Sequence, residues 1–242
     1  MLDGPVSRSA LLEALCGEHV IAFEARAGVA PETLHPEEAL AVTRAVRKRL
    51  EEFAAGRACA RRALECLGVK QFPLRVGPDR EPLWPPGITG SITHTRGFCA
   101  AAIARSELAG SLGIDAELRD AVHRRLWRSI ATEEECARLA ALPEREAGEA
   151  ASLLFSAKES FFKCQYPITR QWLNFRDVSV SIEPGALRIR PQRALELESH
   201  APAPWAGRYA HCGTLILTAM SLPASALGAS NSVAAAKVPP RL

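Results

Sequence analysis

ITGSITHTRGFCAAAIARSELAGSLGIDAE, residues 88–117, reads as three strands in succession. Residues 88–95 and 97–104 flank Arg96-Gly97, a dipeptide suited to a hairpin turn. Residues 110–117 form the third strand, where side chains alternate faces. Leu112, Ile114 and Ala116 point one way, and Gly113, Asp115 and Glu117 the other.

Working outward, residues 19–27 read as an earlier strand and residues 36–67 as one long helix. Pro36-Glu37-Glu38 supplies its acidic first turn and Gly68 its stop. Val46, Leu50, Phe53, Ala60, Leu64 and Leu67 recur at helical spacing and predict its buried face. On the other side, helices are expected near 120–130, 132–142 and 146–166, the middle one opened by the capping box Thr132-x-x-Glu135. Strands return at 177–182, 186–190 and 214–222, with Pro184-Gly185 turning between the first two. Helix plus hairpin strands, twice over, predicts an α+β fold of two lobes. The expected division is 1–110 and 111–225, with 226–242 a loose tail.

The 242 residues are 48% hydrophobic and 24% charged, which excludes a mainly disordered chain. No run of about 18 apolar residues suggests a membrane span, and the first twenty residues lack a secretory pattern. Seven dispersed cysteines without a C-x-x-C pair argue against a zinc site or disulfide framework and for the cytoplasm. A net charge of +3 is too small to imply nucleic acid. Only five of the thirty basic residues are lysines, at 48, 70, 158, 163 and 237, so two within one short segment stand out.

Asp115 and Glu117 share a strand face with no bulk at Gly113. Carboxylates so close repel unless a cation bridges them, and oxygen donors of this kind suit Mg²⁺. The competing reading is two solvated carboxylates on an exposed face. In LLFSAKESFFKC, residues 153–164, Glu159 and Lys163 lie four apart on one helix face. Exposed, they would be an ion pair worth about 0.3–0.5 kcal/mol. Set among Phe155, Phe161 and Phe162, they would instead supply a third carboxylate ligand and a phosphate clamp. Arg57 lies on the apolar stripe of the long helix, and Arg49 stands four residues before Phe53. A buried arginine needs an anionic partner, either an internal carboxylate or a bound phosphate. His94 ends its strand as a surface residue or, with Arg57 and Arg80, as a phosphate contact. G-x-S-x-G, P-loop, H-E-x-x-H and G-x-G-x-x-G motifs are absent.

Four segments together resemble the larger, single-chain 4′-phosphopantetheinyl transferases of the siderophore-synthesis type. They are Arg49-x-x-x-Phe53-x-x-Gly56-Arg57-x-Cys59-Ala60 and Trp84-Pro85-x-Gly87-x-x-Gly90-Ser91-Ile92-Thr93-His94, then Leu112-Gly113-Ile114-Asp115-x-Glu117 and Phe155-Ser156-Ala157-Lys158-Glu159-Ser160-x-x-Lys163. The resemblance covers about half the chain. It departs from the family where Phe155 replaces a common Trp and where Glu81 separates Arg80 from Pro82.

The resemblance implies two lobes related by a pseudo-twofold, with the active site between them. It implies that Asp115, Glu117 and Glu159 bind Mg²⁺ on the diphosphate of coenzyme A, and that Lys158 and Lys163 hold its phosphates. Arg49, Arg57, Arg80 and His94 would serve the nucleotide end, and Thr93 would help seat it. A serine hydroxyl of an apo acyl or peptidyl carrier protein would attack phosphorus, with Glu159, or Glu133 through water, as base. Two lobes in one chain make a monomer sufficient, and neither nucleic acid nor a membrane is expected as partner. A Mg²⁺-dependent phosphodiesterase or nuclease is the rival enzyme class, and a non-catalytic binding module the rival outside enzymes. Against the nuclease, Glu159 and Lys163 have helical spacing where its E-x-K sits on a strand.

Overall fold

In the computed structural model, which describes residues 6–26, 29–195 and 205–227, the Arg96-Gly97 turn joins β3 (Ile88–Thr95) to β4 (Phe98–Arg105). Gly97 takes φ 76°, a left-handed value that only glycine adopts freely. β2 (Ile21–Ala25) pairs with the other edge of β4, and β1 (Val6–Arg8) with β2, giving an antiparallel sheet ordered β1-β2-β4-β3. Between β1 and β2 lies α1 (Ala10–Cys16). Neither β1 nor α1 was expected, because three residues and seven residues carry too little periodicity to read.

The long helix expected over 36–67 is broken. α2 (Pro36–Ala39) runs into a 3₁₀ turn at Leu40–Val42, and α3 begins only at Arg47 (Arg47–Cys66). The cause is Glu38, whose fully buried carboxylate accepts hydrogen bonds from Arg61 Nη1 (2.6 Å), Leu74 N (3.0 Å) and His35 N (3.0 Å). In one straight helix Glu38 and Arg61 would lie about 34 Å apart. Folding α2 back against α3 brings them into contact. Val46, expected on the buried stripe, is consequently 74% exposed. The α3 face that does pack on the sheet is made of small residues. Ala54, Ala55, Cys59, Ala60 and Ala63 meet Phe23, Ala101 and Ile103.

The second sheet is antiparallel and ordered β5-β9-β8-β7-β6, from β5 (Ala109–Leu118), β6 (Val178–Glu183), β7 (Ala186–Pro191), β8 (Trp205–Cys212) and β9 (Leu215–Pro223). The chain passes from one sheet to the other between Arg105 and Ala109. β8 was not expected, since its burial follows no clean alternation. The intervening helices are α4 (Trp127–Ile130), α5 (Glu133–Ala140) and α6 (Glu144–Thr169). The capping box holds: Thr132 N donates to Glu135 Oε2 and Glu135 N to Thr132 Oγ1. α6 continues through Pro167, past the expected end at 166, and stops at Thr169 with Arg170 capping it in the left-handed region.

A middle core fills the space between the sheets, with Leu12, Ala22, Phe98 and Ala102 against Leu112, Ile114, Ala116 and Leu217. α6 covers the other side of the second sheet through Leu154, Ala157 and Phe161, which meet Ile189, Ile216 and Met220. The expected loose tail lies outside the described residues from 228 onward. Its first two residues do not fit that expectation, because Ala226 and Leu227 end a 3₁₀ turn packed on this core. Among the described residues no helix is long and apolar enough to cross a membrane.

Candidate active site

Asp115 and Glu117 do not sit on an open face, as the sequence suggested. α6 crosses that face of β5 at Gly113, where a Cβ would lie 1.9 Å from Ser160 O and 2.7 Å from Cys164 N. Glycine is therefore what lets the helix backbone touch the strand. Ser111 Oγ donates to Cys164 O at 2.6 Å and fixes the same crossing. With Ser160 and Cys164 turned to the strand, Glu159 and Lys163 fall alongside Asp115 and Glu117.

Lys163 Nζ donates to Asp115 Oδ1 at 2.6 Å and to Ile114 O at 3.2 Å. It is not the solvent-exposed partner of Glu159. Burial raises the proton affinity of Glu117, and the charges of Asp115 and Glu159 add to this against Lys163, so its pKa is pushed up to about 7. Glu159 is shifted the same way by burial, with Lys163 opposing and Asp115 reinforcing. Three carboxylates thus share one ammonium. Asp115 Oδ2 is buried without a hydrogen-bond partner.

An unpaired buried carboxylate oxygen beside two more carboxylates is the donor chemistry of a hard divalent cation. Among the described residues, no group of three His, Cys, Asp or Glu side chains is placed to hold a metal ion as it stands. By chemistry and charge, the oxygen donors of Asp115, Glu117 and Glu159 suit such a cation.

Two expected ligand contacts are overturned. Lys158 is 2% exposed, and its Nζ donates to Ile130 O (2.9 Å), Glu135 Oε2 (2.6 Å) and Phe175 O (2.9 Å). All three protons are used internally, so Lys158 holds no phosphate. Burial lowers its pKa and Glu135 opposes that shift. Thr93, expected to seat the nucleotide, is buried and accepts from Ala116 N (3.0 Å) while donating to Asp115 Oδ1 (3.1 Å). Its hydroxyl is spent on β5.

Glu133, expected as an alternative base, has a 95% exposed side chain whose charged neighbour is Arg176 at 3.9 Å. No contact among the described residues joins it to the carboxylates. The acidic residue that does turn inward from α5 is Glu135, which also accepts from Val180 N at 2.7 Å. Its role was missed because the capping box already accounted for a glutamate there.

In the first half of the chain, Arg49 Nη1 donates to His94 Nε2, which joins two of the expected nucleotide contacts. Arg57 is buried, stacks on the Phe53 ring at 4.2 Å and donates through Nε to Leu74 O. Burial, with Arg61 and Arg49 nearby, lowers its pKa to about 10, so it stays a cation at neutral pH. Glu38, the carboxylate nearest in charge, bonds Arg61 and not Arg57. Arg80 lies exposed in a tight turn at φ 68°, its N–H donating to Gly77 O, and is not brought to Arg57 by any contact.

Residues 36–104 match the family described as 4′-phosphopantetheinyl transferase N-terminal domain, and residues 111–212 match the 4′-phosphopantetheinyl transferase superfamily. The chain is 46% identical over 154 residues to 4′-phosphopantetheinyl transferase Svp of Streptomyces mobaraensis, covering 63% of each chain. It is 39% identical over 149 residues to PptT of Mycobacterium tuberculosis, covering 61% of this chain and 65% of that one. With Npt of Nocardia iowensis it shares 36% identity over 162 residues, 63% of this chain and 69% of that protein. The chain belongs to the 4′-phosphopantetheinyl transferase superfamily. It spans just under two thirds of the length of Svp and of PptT. In this superfamily member the carboxylate cluster and Lys163 fall wholly within the 111–212 match, while Glu38, Arg49, Arg57, Thr93 and His94 fall within 36–104.

Proposed function

We propose that this superfamily member transfers the 4′-phosphopantetheine group of coenzyme A to a serine of an apo acyl or peptidyl carrier protein, with Mg²⁺ as cofactor. The observation that carries the reading is the bare, buried Asp115 Oδ2 among Glu117, Glu159 and Lys163. Asp115, Glu117 and Glu159 would hold the cation, which when bound neutralises diphosphate charge. Lys163, already beside Asp115, meets the charge that grows on the transferred phosphoryl group. Arg57, Arg49 and His94 hold the nucleotide end at a distance from the chemistry.

Glu159 takes the serine proton as the serine oxygen bonds to phosphorus. The bond from phosphorus to the departing oxygen breaks, and 3′,5′-ADP leaves with that electron pair. The two lobes are assigned to 1–110 and 111–225, one chain supplies every residue named, and the setting is the cytoplasm.

Incubation with coenzyme A, Mg²⁺ and apo carrier proteins, followed by intact mass of the carrier, tests the reading. A carrier heavier by one phosphopantetheine group, formed only with Mg²⁺, is the expected result. Unmodified carriers beside hydrolysed coenzyme A or cleaved nucleic acid would overturn it in favour of a phosphodiesterase. Unmodified carriers with every substrate intact would leave a binding module.

A further inference from the structure

β3 and β5 are edge strands of different sheets, and serine and threonine hydroxyls join them. Ser91 Oγ accepts the N–H of Ile114, and Thr93 Oγ1 accepts the N–H of Ala116, both at 3.0 Å. These hydroxyls stand in for a neighbouring strand's carbonyls, so the edge of β5 is satisfied without a backbone ladder. Having accepted from Ala116, the Thr93 oxygen directs its own proton to Asp115 Oδ1, 3.1 Å away. Lys163 Nζ donates to that same oxygen at 2.6 Å. Two donors on Oδ1, arriving from β3 and α6, restrict rotation of the carboxylate. The oxygen they leave bare is Oδ2.

We propose that Thr93 is a positioning residue, whose hydroxyl orients Asp115 so that Oδ2 is presented to the divalent cation. The proposal rests on the Mg²⁺ reading above. A hydroxyl is needed because only a group that accepts and donates at once can tie Ala116 N–H and aim at Asp115. Serine meets that requirement, and valine has the shape without it. Thr93 thereby couples the first sheet to the cation without touching cation or substrate. Metal-ligating carboxylates depend on such supporting hydrogen bonds, whose loss costs about 10–100-fold in metal affinity.

The test is Mn²⁺ titration of the full chain with coenzyme A present, followed by electron paramagnetic resonance. It uses wild type, Thr93→Val, Thr93→Ala, Thr93→Ser and Asp115→Asn, each with a thermal melt. The proposal expects Thr93→Val and Thr93→Ala to bind Mn²⁺ about ten-fold more weakly or worse, and Thr93→Ser to recover most of the affinity. Thr93→Ala keeps the comparison with Thr93→Ser open if the valine variant does not fold. Wild-type affinity in folded Thr93→Val or Thr93→Ala, with a lowered melting temperature alone, would make Thr93 merely structural and overturn the proposal. The Mg²⁺ reading would survive that result. Mn²⁺ binding that Asp115→Asn leaves unchanged, or no Mn²⁺ binding by wild type, would instead remove the Mg²⁺ reading and the proposal with it.

Discussion

The ammonium of Lys163 sits 2.6 Å from Asp115 Oδ1, across 48 positions of sequence, although Glu159 lies one helical turn away on the same helix. The crossing of α6 over Gly113 makes this contact. It turns an ordinary helical Glu-Lys spacing into part of a site shared by helix and strand.

Lys163→Ala is expected to lower kcat by about 100-fold or more, because the ammonium meets charge that develops in the transition state. Lys163→Arg recovers only part, since a planar guanidinium cannot occupy the same point. Steady-state rates at saturating apo carrier, beside a thermal melt, check this. Full activity in Lys163→Ala would return the residue to a structural ion pair.

Gly113→Ala should damage the fold before the chemistry. The added carbon would fall 1.9 Å from Ser160 O, a backbone atom that cannot rotate away. Helix and strand would have to separate, costing about 3 kcal/mol or more. For a chain of this size that corresponds to a melting temperature lower by roughly 6–12 °C. An unchanged melt would show that the helix does not cross where it is placed.

Lys158→Met leaves Glu135 as an unpaired buried carboxylate and should cost about 3–5 kcal/mol of stability. Pairing it with Glu135→Gln should restore part of that loss, because the buried charge then goes while the amide oxygen can still accept from Val180 N. KM for coenzyme A in the folded variant should stay near wild type, measured alongside urea unfolding. A large KM effect without loss of stability would reinstate Lys158 as a phosphate ligand.

Arg57→Ala should raise KM for coenzyme A by roughly 10- to 100-fold, the loss of a charge-assisted bond worth about 1.5–3 kcal/mol. Dephospho-coenzyme A should erase most of the difference between variant and wild type. Equal impairment with both donors would mean that stacking on Phe53 and the bond to Leu74 are the whole role of Arg57.

Stability should fall as pH rises above 9. Burial pushes the thiols of Cys16, Cys59 and Cys164 from an ordinary 9.0 up to about 12, and that of Cys99 to about 11. Between those values the unfolded chain releases protons that the folded chain retains, so the unfolded state gains. Below pH 9 both states hold their protons and the effect is absent. Each such thiol withdraws up to about 1.4 kcal/mol per pH unit in the window. Urea midpoints at pH 8, 9 and 10 measure this, and Cys59→Ala should flatten the slope.

The β3–β4 hairpin, the strand bearing Asp115 and Glu117, the capped start of α5 and the main body of α6 were all legible in the sequence. Each is local: a glycine turn, a period of two, a capping box, a period near 3.6. The break between α2 and α3 was not legible, because a good helix pattern continues through it. Only the pairing of Glu38 with Arg61, distant along any straight helix, requires the chain to fold back.

By itself, then, the sequence determined the succession of β3, β4 and β5, the i,i+2 carboxylates and the i,i+4 Glu-Lys pair, since these depend on backbone period alone. Tertiary structure decided which of two neighbouring lysines meets Asp115. Lys158 and Lys163 carry the same charge within one helix, yet five positions rotate them about 140° apart around its axis. One faces Glu135 and two backbone carbonyls, and the other faces β5. Tertiary structure likewise gave Thr93 its partners. A strand's period places the hydroxyl on a face, but only the approach of β5 from the second sheet puts Ala116 N–H and Asp115 Oδ1 against it.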